Sequence, residues 1–129
     1  MPFMNQLKVM VADDTSVSRM LLVDSLNEIG LKNIVLANDG EQALNLMMQA
    51  PCHIIFSDMH MPKLTGLQLL RALREYQPTR QVCFILVTGK GDRAMIEEGK
   101  KFGLNNFLAK PFTSATLKAT LEAVVGKLV

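Results

Sequence analysis

Five short apolar segments alternate with five segments of helical periodicity, and this alternation limits the fold of the 129-residue chain more than any other feature. Continuously apolar strands that alternate with amphipathic helices predict a parallel sheet covered by helices on both faces. The predicted strands are Leu7–Ala12, Asn33–Ala37, His53–Asp58, Gln81–Val87 and Asn106–Ala109. The predicted helices are residues 15–29, 41–48, 64–76, 92–101 and 113–127. We therefore expect an α/β three-layer sandwich that forms one domain over residues 1–129.

Apolar side chains at helical spacing predict the face that each helix turns towards the sheet. The predicted inward residues are Leu21, Leu22, Leu26 and Ile29 in the first helix, Ala43, Leu44 and Met47 in the second, Leu67, Leu70 and Leu73 in the third, and Leu117, Leu121, Val124 and Leu128 in the fifth. The fourth helix is mostly polar and carries many charged residues.

Composition and charge exclude several classes of protein. Apolar residues make up 49% of the chain, which predicts a packed core rather than disorder. No apolar run approaches the ~20 residues of a membrane span and the first residues lack the pattern of a signal peptide, so we expect a cytoplasmic protein that does not enter a membrane. A net charge of +2 gives no argument for nucleic acid as a partner. Cys52 and Cys83 are expected to be reduced.

Polar side chains stand at the ends of four of the five predicted strands. They are Asp13 and Asp14 after the first strand, Asp58 at the end of the third, Thr88 after the fourth and Lys110 after the fifth. The carboxyl ends of parallel strands lie at one edge of the sheet, where such folds bind their ligands. These side chains are therefore expected to share one pocket.

The chemistry of this expected pocket suits phosphoryl transfer. Three carboxylates repel one another, and Mg²⁺ would relieve that repulsion, taking in addition a backbone carbonyl oxygen such as that of His60. Lys110 would add positive charge and Thr88 a hydroxyl donor. Asp58 is then the predicted phosphate acceptor, because a carboxylate nucleophile forms a labile acyl phosphate. The sequence has no glycine-rich phosphate loop, so a nucleotide is not expected.

The same residues occur in the order and at the spacing found in one signalling family. The matching set is Asp13-Asp14, Asp58 with Met61-Pro62, Gly66, Thr88 and Lys110-Pro111-Phe112. On these residues the chain resembles the receiver domain of two-component response regulators, and within that family it is most similar to the stand-alone, CheY-like chemotaxis regulators. The resemblance covers nearly the whole chain and implies a flavodoxin-like (βα)5 fold with strand order 2-1-3-4-5.

The resemblance implies a role for each residue of the pocket. Asp58 would be phosphorylated from a phosphohistidine on the phosphodonor domain of a histidine kinase. The ligands of Mg²⁺ would be Asp13, Asp14, Asp58 and the backbone carbonyl of His60. Thr88 and Lys110 would contact the phosphoryl group, and the Lys110–Pro111 peptide bond would be cis, as is usual in the family. The domain would promote only its own phosphorylation and dephosphorylation, so it is not expected to be an enzyme.

The resemblance also implies a conformational switch. Phosphorylation would draw the Thr88 hydroxyl inward, and the ring of Phe107 would move into the vacated space. The phosphoryl group would thereby favour one of two packings of the domain. Because Phe107 stands where the family often has tyrosine, no output contact can use a hydroxyl there. The fourth helix, fifth strand and fifth helix would then bind the flagellar motor switch, with a phosphatase as a further partner and a monomer as the expected state. The rival hypothesis is a phosphate sink or phosphorelay intermediate that never binds the motor.

Simpler interpretations of these residues remain open at this point. The aspartate pair could act only on the dipole of the helix that follows it. Lys110 could be an ordinary surface lysine, and Thr88 an ordinary turn residue. The side chain of His60 could be merely solvated, and Phe107 could be a plain core residue.

Two features of the helices carry hypotheses of their own. Three apolar residues of the first helix lie off its inward stripe, namely Val17, Met20 and Val23. We expect the first two to touch the helical phosphodonor domain, although scattered apolar residues are also common on protein surfaces. Gly89, Gly91 and Gly99 surround the fourth helix, which should be held loosely and become ordered on phosphorylation or partner binding.

Overall fold

A five-stranded parallel sheet organises the structure, a computed structural model that describes residues 6–89 and 92–126. Its strands are β1 (Val9–Ala12), β2 (Ile34–Ala37), β3 (Ile54–Asp58), β4 (Cys83–Thr88) and β5 (Asn106–Ala109). The helices are α1 (Ser16–Glu28), α2 (Gly40–Gln49), α3 (Gly66–Glu75), α4 (Arg93–Lys101) and α5 (Ser114–Val125), with a short 3-10 helix at Gln77–Thr79. The strand order β2-β1-β3-β4-β5 confirms the flavodoxin-like fold.

The central strands send alternate side chains to opposite faces of the sheet, as the pleat of a strand requires. Ile55 of β3 packs in a buried cluster with residues of α2 and α3. The next residue, Phe56, packs in a second cluster with residues of α1 and α5. Burial of apolar surface in these two clusters holds the three layers together, at about 25 cal/mol per Å². Every residue of β1 and β3 is buried, so the carboxyl ends of these paired strands have fixed positions.

The buried faces of the helices agree with the sequence pattern except in α1. Leu22 and Leu26 are buried there, but Leu21 is 56% exposed, so its assignment to the inward stripe is wrong. Successive residues are about 100° apart around a helix, and the sheet contacts the side that carries Leu22. In α3, Leu67 is half-buried against the core, and Leu69, which was not predicted, is fully buried. The predicted inward residue Leu128 lies outside the described residues.

Two helices begin at threonines that cap them. The Thr65 hydroxyl accepts a hydrogen bond from the backbone N–H of Gln68, whose side chain accepts one from the N–H of Thr65. Thr113 and Thr116 form the same reciprocal pair at the start of α5. These capping boxes satisfy N–H groups that a helix leaves unpaired, and they start α3 at Gly66, two residues later than predicted.

Gly66 allows the amino terminus of α3 to lie directly against the end of β3. A Cβ atom at this position would be 2.6 Å from the carbonyl oxygen of Asp58. The Gly66 N–H also donates to the carbonyl of Met59 at 2.8 Å. No side chain fits here without moving the backbone that carries Asp58.

Gly99 has a different environment in α4. A Cβ atom there would lie 3.1 Å from a side-chain carbon of Leu104 and 3.2 Å from one of Leu67. These neighbours are flexible side chains, so the position tolerates adjustment. The loose attachment expected for α4 stays a prediction, and Gly91 lies outside the described residues.

Two expectations from composition can be compared with the structure. Cys52 and Cys83 are free, buried thiols that lie in the clusters on opposite faces of the sheet. Burial raises the pKa of the Cys83 thiol to about 11, which favours its protonated, unreactive form. Within residues 6–89 and 92–126, no helix has the length and apolar character needed to cross a membrane.

Candidate functional site

The carboxyl ends of β1 and β3 bring three aspartates together. Carboxylate oxygens of Asp13, Asp14 and Asp58 all lie within 4.8 Å of one another. The strands are neighbours, with Ala12 paired to Ser57, so Asp13 and Asp58 emerge side by side. Both of these are buried, whereas Asp14 is exposed. The cluster therefore has a buried base and a side that is open to solvent.

The two carboxylate oxygens of Asp13 differ in their partners. Oδ1 accepts hydrogen bonds from the backbone N–H and the hydroxyl of Thr15, at 3.0 and 3.2 Å. Oδ2 is buried and has no hydrogen-bond partner among the residues that the structure describes. The Arg19 guanidinium donates instead to the backbone carbonyl of Asp13, at 2.9 Å. A buried carboxylate oxygen without a donor costs free energy and is suited to ligate a hard cation directly.

Lys110 reaches this cluster from the end of β5. Its Nζ lies 3.2 Å from Oδ1 of Asp58. Its backbone N–H donates to the carbonyl of Thr88 at 2.7 Å, and the Lys110–Pro111 peptide bond is cis, as the resemblance implied. The interpretation of Lys110 as an ordinary surface lysine is therefore wrong, because its ammonium group is held against Asp58.

Opposing influences act on the ionisation of Asp58. Burial raises the pKa of its carboxyl above the ordinary value. The charge and hydrogen bond of Lys110 oppose this rise in pKa, as does the backbone N–H of Met59, whereas the negative charge of Asp13 adds to it. Since the net effect is a raised pKa, the ionised form of Asp58 is disfavoured in the free site, and added positive charge would stabilise it.

Thr88 and Phe107 line one open space on the other side of the cluster. Thr88 is the last residue of β4 and is buried. A cavity of about 450 Å³ lies between α4 and the end of β5, and both side chains contribute to its wall. Phe107 is 39% exposed, so the interpretation of this ring as a plain core residue is wrong. Space that an aromatic ring could occupy thus adjoins Thr88.

A model of the response regulator receiver domain matches residues 9–122. The chain belongs to the response regulator receiver family. It is 43% identical to a probable chemotaxis protein CheY of Rhizobium etli, over 99% of each chain. It is 31% identical to the chemotaxis protein CheY of Pseudomonas aeruginosa, over 95% of this chain and 98% of that protein.

Solved structures of receiver domains have the same fold. The chemotaxis response regulator CheY4 of Vibrio cholerae superposes with a TM-score of 0.83 at 30% identity, over 92% of this chain and 98% of that one. The receiver domain of the sensor histidine kinase PA1611 from Pseudomonas aeruginosa gives a TM-score of 0.82 at 28% identity, over 94% and 98% of the two chains. In that structure a magnesium ion is coordinated in the active-site cleft.

Sequence reasoning missed one acidic residue beside this receiver-domain site. Asp92 is buried, and its carboxylate accepts a hydrogen bond from the N–H of Gly89 at 3.1 Å. Its other oxygen lies 3.3 Å from Nε2 of His60, whose side chain is 65% exposed. An acid at the start of a helix is common. Nothing in the sequence therefore distinguished Asp92 from the other charged residues of this segment.

The loop between β3 and α3 is also tied to α2 through Lys63. This residue has a φ of 71°, in the left-handed region, and the Leu64 N–H donates across it to the carbonyl of Pro62 at 2.8 Å. Its Nζ lies 3.6 Å from Asp39 and 4.0 Å from Glu41. Exposed ion pairs of this kind add ~0–1 kcal/mol of stability. These ion pairs could not be predicted from the sequence, because Lys63 and Asp39 meet only through the tertiary fold.

An apolar patch on α1 flanks the receiver-domain site. It consists of the exposed residues Val17, Met20 and Leu21 and is called the α1 patch below. Val23 is not part of it, because it is half-buried and packs against the core. A groove of about 510 Å³ separates Val17 and Leu21 from the segment 110–112 that begins with Lys110. The α1 patch therefore borders the lysine that contacts Asp58.

Proposed function

We propose that this receiver domain is a single-domain chemotaxis regulator that switches when a histidine kinase phosphorylates Asp58. It works as a cytoplasmic monomer, acts on no external substrate, and binds the flagellar motor switch when phosphorylated. The observation that carries this proposal is the position of Asp58 between the ammonium group of Lys110, 3.2 Å away, and the other two aspartates. The 43% identity to a probable CheY supports the assignment to chemotaxis.

The three aspartates fit a magnesium ion in chemical type and arrangement. Oxygen ligands from one or two carboxylates, a carbonyl and waters are what Mg²⁺ prefers. The proposed ligands are Asp13, Asp14, Asp58 and the backbone carbonyl of His60. The Oδ2 atom of Asp13, buried and without a donor among the described residues, supports this assignment. When bound, the ion supplies positive charge to the phosphoryl oxygens.

Asp58 is the proposed nucleophile. Its carboxylate oxygen forms a bond to phosphorus while the bond between phosphorus and the donor's imidazole nitrogen breaks, and that nitrogen keeps the electron pair. The Lys110 ammonium pairs with the phosphoryl oxygens, and the Thr88 hydroxyl donates a hydrogen bond to one of them. Transfer needs ionised Asp58, so the opposition of Lys110 to the raised pKa also serves the reaction.

The α1 patch is the proposed contact for the helical phosphodonor domain of the kinase. The donor histidine must approach Asp58 closely, and the patch borders the groove beside Lys110. Apolar residues on an exposed helix face suit packing against another helix. Bringing the donor and acceptor into this geometry is a large part of what catalyses transfer.

The cavity beside Thr88 is the proposed route from phosphorylation to output. Movement of the Thr88 hydroxyl towards the phosphoryl group lets the ring of Phe107 enter the space between α4 and β5. The surface of α4, β5 and α5 then changes shape, and the motor switch binds the changed form. A phosphoryl group that stabilises one of two packings is sufficient to shift this population.

A phosphate sink or phosphorelay intermediate is the second candidate function. One observation favours it, since the exposed ring of Phe107 offers no hydroxyl for an output contact. In this case the phosphoryl group reaches Asp58 by the same chemistry, and no motor protein binds the α4–β5–α5 face. A phosphatase is a partner that either function would use.

Mass spectrometry tests the shared chemistry. The protein is incubated with acetyl phosphate and MgCl₂, and the intact mass is measured. Wild type should gain one phosphoryl group, Asp58→Asn none, and wild type with EDTA much less. A phosphorylated Asp58→Asn protein would contradict the assignment of the acceptor.

A pull-down separates the two candidate functions. A fragment of the flagellar motor switch is immobilised, and the receiver domain is added with or without beryllium fluoride as a phosphoryl mimic. Binding that requires the mimic supports the motor function. No binding in either state, with normal phosphorylation, supports the sink.

A further inference from the structure

One buried carboxylate beside the site has no part in the proposed phosphoryl transfer. Asp92 occupies the position just before α4, where a side chain usually accepts hydrogen bonds from the first N–H groups of the helix. No such hydrogen bond is present within the described residues. The carboxylate turns instead to the N–H of Gly89 and the ring of His60. Its contacts thus join loops rather than cap the helix.

The loops that Asp92 joins are the two that flank Asp58. His60 lies two residues after Asp58, in the loop between β3 and α3. Gly89 directly follows Thr88 at the end of β4. One oxygen of Asp92 contacts each loop, at 3.3 and 3.1 Å. A single carboxylate therefore bridges the loop after the phosphate acceptor and the loop after the proposed switch residue.

We propose that Asp92 is a positioning residue for the metal site, which it serves by holding the His60 segment in the conformation that binds Mg²⁺. This inference rests on the proposed function, in which the His60 carbonyl is a metal ligand. The Lys63 contacts hold the other end of the same loop. The Asp92–His60 contact orders the loop before the ion binds. The free energy of Mg²⁺ binding is then not reduced by the conformational entropy cost of ordering the loop. Because coupling is reciprocal, bound metal also steadies the start of α4.

A second effect of Asp92 must be separated from positioning. Its negative charge would attract a cation to this region whether or not it holds His60. Two substitutions separate these effects. His60→Ala removes the ring but keeps the backbone carbonyl, and Asp92→Asn removes the charge but keeps a side chain that can hydrogen-bond to His60 and Gly89.

Isothermal titration with MgCl₂ measures the affinity directly, without phosphorylation. We expect Asp92→Ala and His60→Ala each to weaken binding about fivefold, since couplings of this kind start near that size. The double variant should be no weaker than either single variant, because one contact is lost in all three. Asp92→Asn should keep most of the wild-type affinity. The matched control is Glu98→Gln, a charge removed from an exposed position of α4, which should bind Mg²⁺ as wild type does.

The outcomes distinguish this inference from the proposed function. Wild type that binds no Mg²⁺ overturns the metal site and the positioning role together. Wild type that binds while His60→Ala binds equally well overturns the positioning role alone. Equal losses in Asp92→Asn and Asp92→Ala, with none in His60→Ala, assign the effect to charge and also overturn it. The ring of His60 is largely exposed, so the His60→Ala protein should fold, and circular dichroism checks this.

Discussion

The two sides of Asp58 are built differently. On the α1 side, the charged groups are fixed: Asp13 is buried at the end of a central strand, and Lys110 is held 3.2 Å from Asp58. On the α4 side, Thr88 adjoins a cavity of about 450 Å³, and Phe107 lies at its partly exposed edge. The proposed chemistry needs groups at constant positions, whereas the proposed readout needs space in which side chains can move.

The two sides also differ in what they leave unpaired or open in the free protein. The α1 side keeps a buried carboxylate oxygen of Asp13 that has no donor among the described residues. The α4 side has a solvent-open pocket next to a buried threonine. The unpaired carboxylate oxygen is unfavourable for the free protein, and both places would accommodate a ligand or a moved side chain. Substitutions on the two sides should therefore have different effects.

The largest effect is expected for Asp13→Asn on the fixed side. Loss of a charged ligand should slow Mg²⁺-dependent phosphorylation by acetyl phosphate at least about 100-fold, the size seen when one charge-stabilising group is removed. The same substitution relieves the repulsion with Asp58. It should therefore raise the free energy of unfolding by about 1 kcal/mol without metal.

Urea unfolding with and without MgCl₂ is the measurement for the stability part. Wild type should be stabilised by the metal and Asp13→Asn should not. Asp24→Asn, which removes an acid from an exposed position of α1, serves as the control and should behave like wild type. If Asp13→Asn is less stable than wild type in EDTA, repulsion between Asp13 and Asp58 does not destabilise the free protein.

A pair of glycine substitutions compares the rigidity of the backbone that carries Asp58 with that of α4. Gly66→Ala places a Cβ atom 2.6 Å from the Asp58 carbonyl oxygen, so the backbone must shift, at a cost of about 2 kcal/mol. Gly99→Ala meets only flexible side chains of Leu104 and Leu67, and alanine gains up to ~1 kcal/mol in helix propensity. Its net change should therefore be close to zero. Chemical denaturation of both variants measures this difference, and equal destabilisation would remove the contrast.

The role of the α1 patch is tested with two exposed methionines. Met20→Glu puts a charge into the α1 patch and should slow phosphoryl transfer from the kinase about tenfold, as expected for one central contact residue. Phosphorylation by acetyl phosphate should be unchanged. Met48→Glu is the matched control, since Met48 on α2 is 44% exposed and Met20 is 51% exposed. Equal slowing in both assays, or an equal effect of Met48→Glu, would rule out the α1 patch as the contact.

The same contrast explains how much could be predicted from the sequence. The strand ends that carry Asp13, Asp58 and Lys110 follow from apolar runs that stop at polar residues, a local pattern. The strand order and the residue roles needed the family resemblance, since alternation alone leaves several right-handed topologies open. The exposure of Leu21 was wrongly predicted because helical spacing alone does not say which neighbouring side of α1 contacts the sheet.

Contacts between loops were beyond sequence reasoning for a physical reason. The contact of Asp92 with His60 joins residues that are far apart in the chain, and neither has an unusual local pattern. Phe107 is partly exposed beside the pocket between α4 and β5, and the polar sequence of α4 does not specify that pocket. The fixed side of the site was thus predictable from local patterns, whereas the adjustable side depends on tertiary packing.

The smallest effect is the pH dependence that Asp58 contributes on the fixed side. Burial raises its pKa above the ordinary 3.8 in the folded protein. A group with a raised folded pKa stabilises the protein fully below its unfolded pKa, and that stabilisation is lost as the pH rises through the folded pKa. Without metal, Asp58→Asn should therefore be more stable than wild type at neutral pH. The difference in the free energy of unfolding between the two proteins should become smaller as the pH falls from the folded pKa of Asp58 towards 3.8.

Urea unfolding of wild type and Asp58→Asn at a series of pH values in EDTA measures this gap, with the exposed Asp24→Asn again as the control. Lys110 opposes the rise in pKa, so a Lys110→Ala background should widen the gap at neutral pH. Added MgCl₂ should close it, because positive charge favours the ionised carboxylate. A gap that does not change with pH would mean that ionisation of Asp58 costs nothing in the folded state. The charged groups of the fixed side would then not destabilise the folded protein, and the two sides of Asp58 would differ in packing alone.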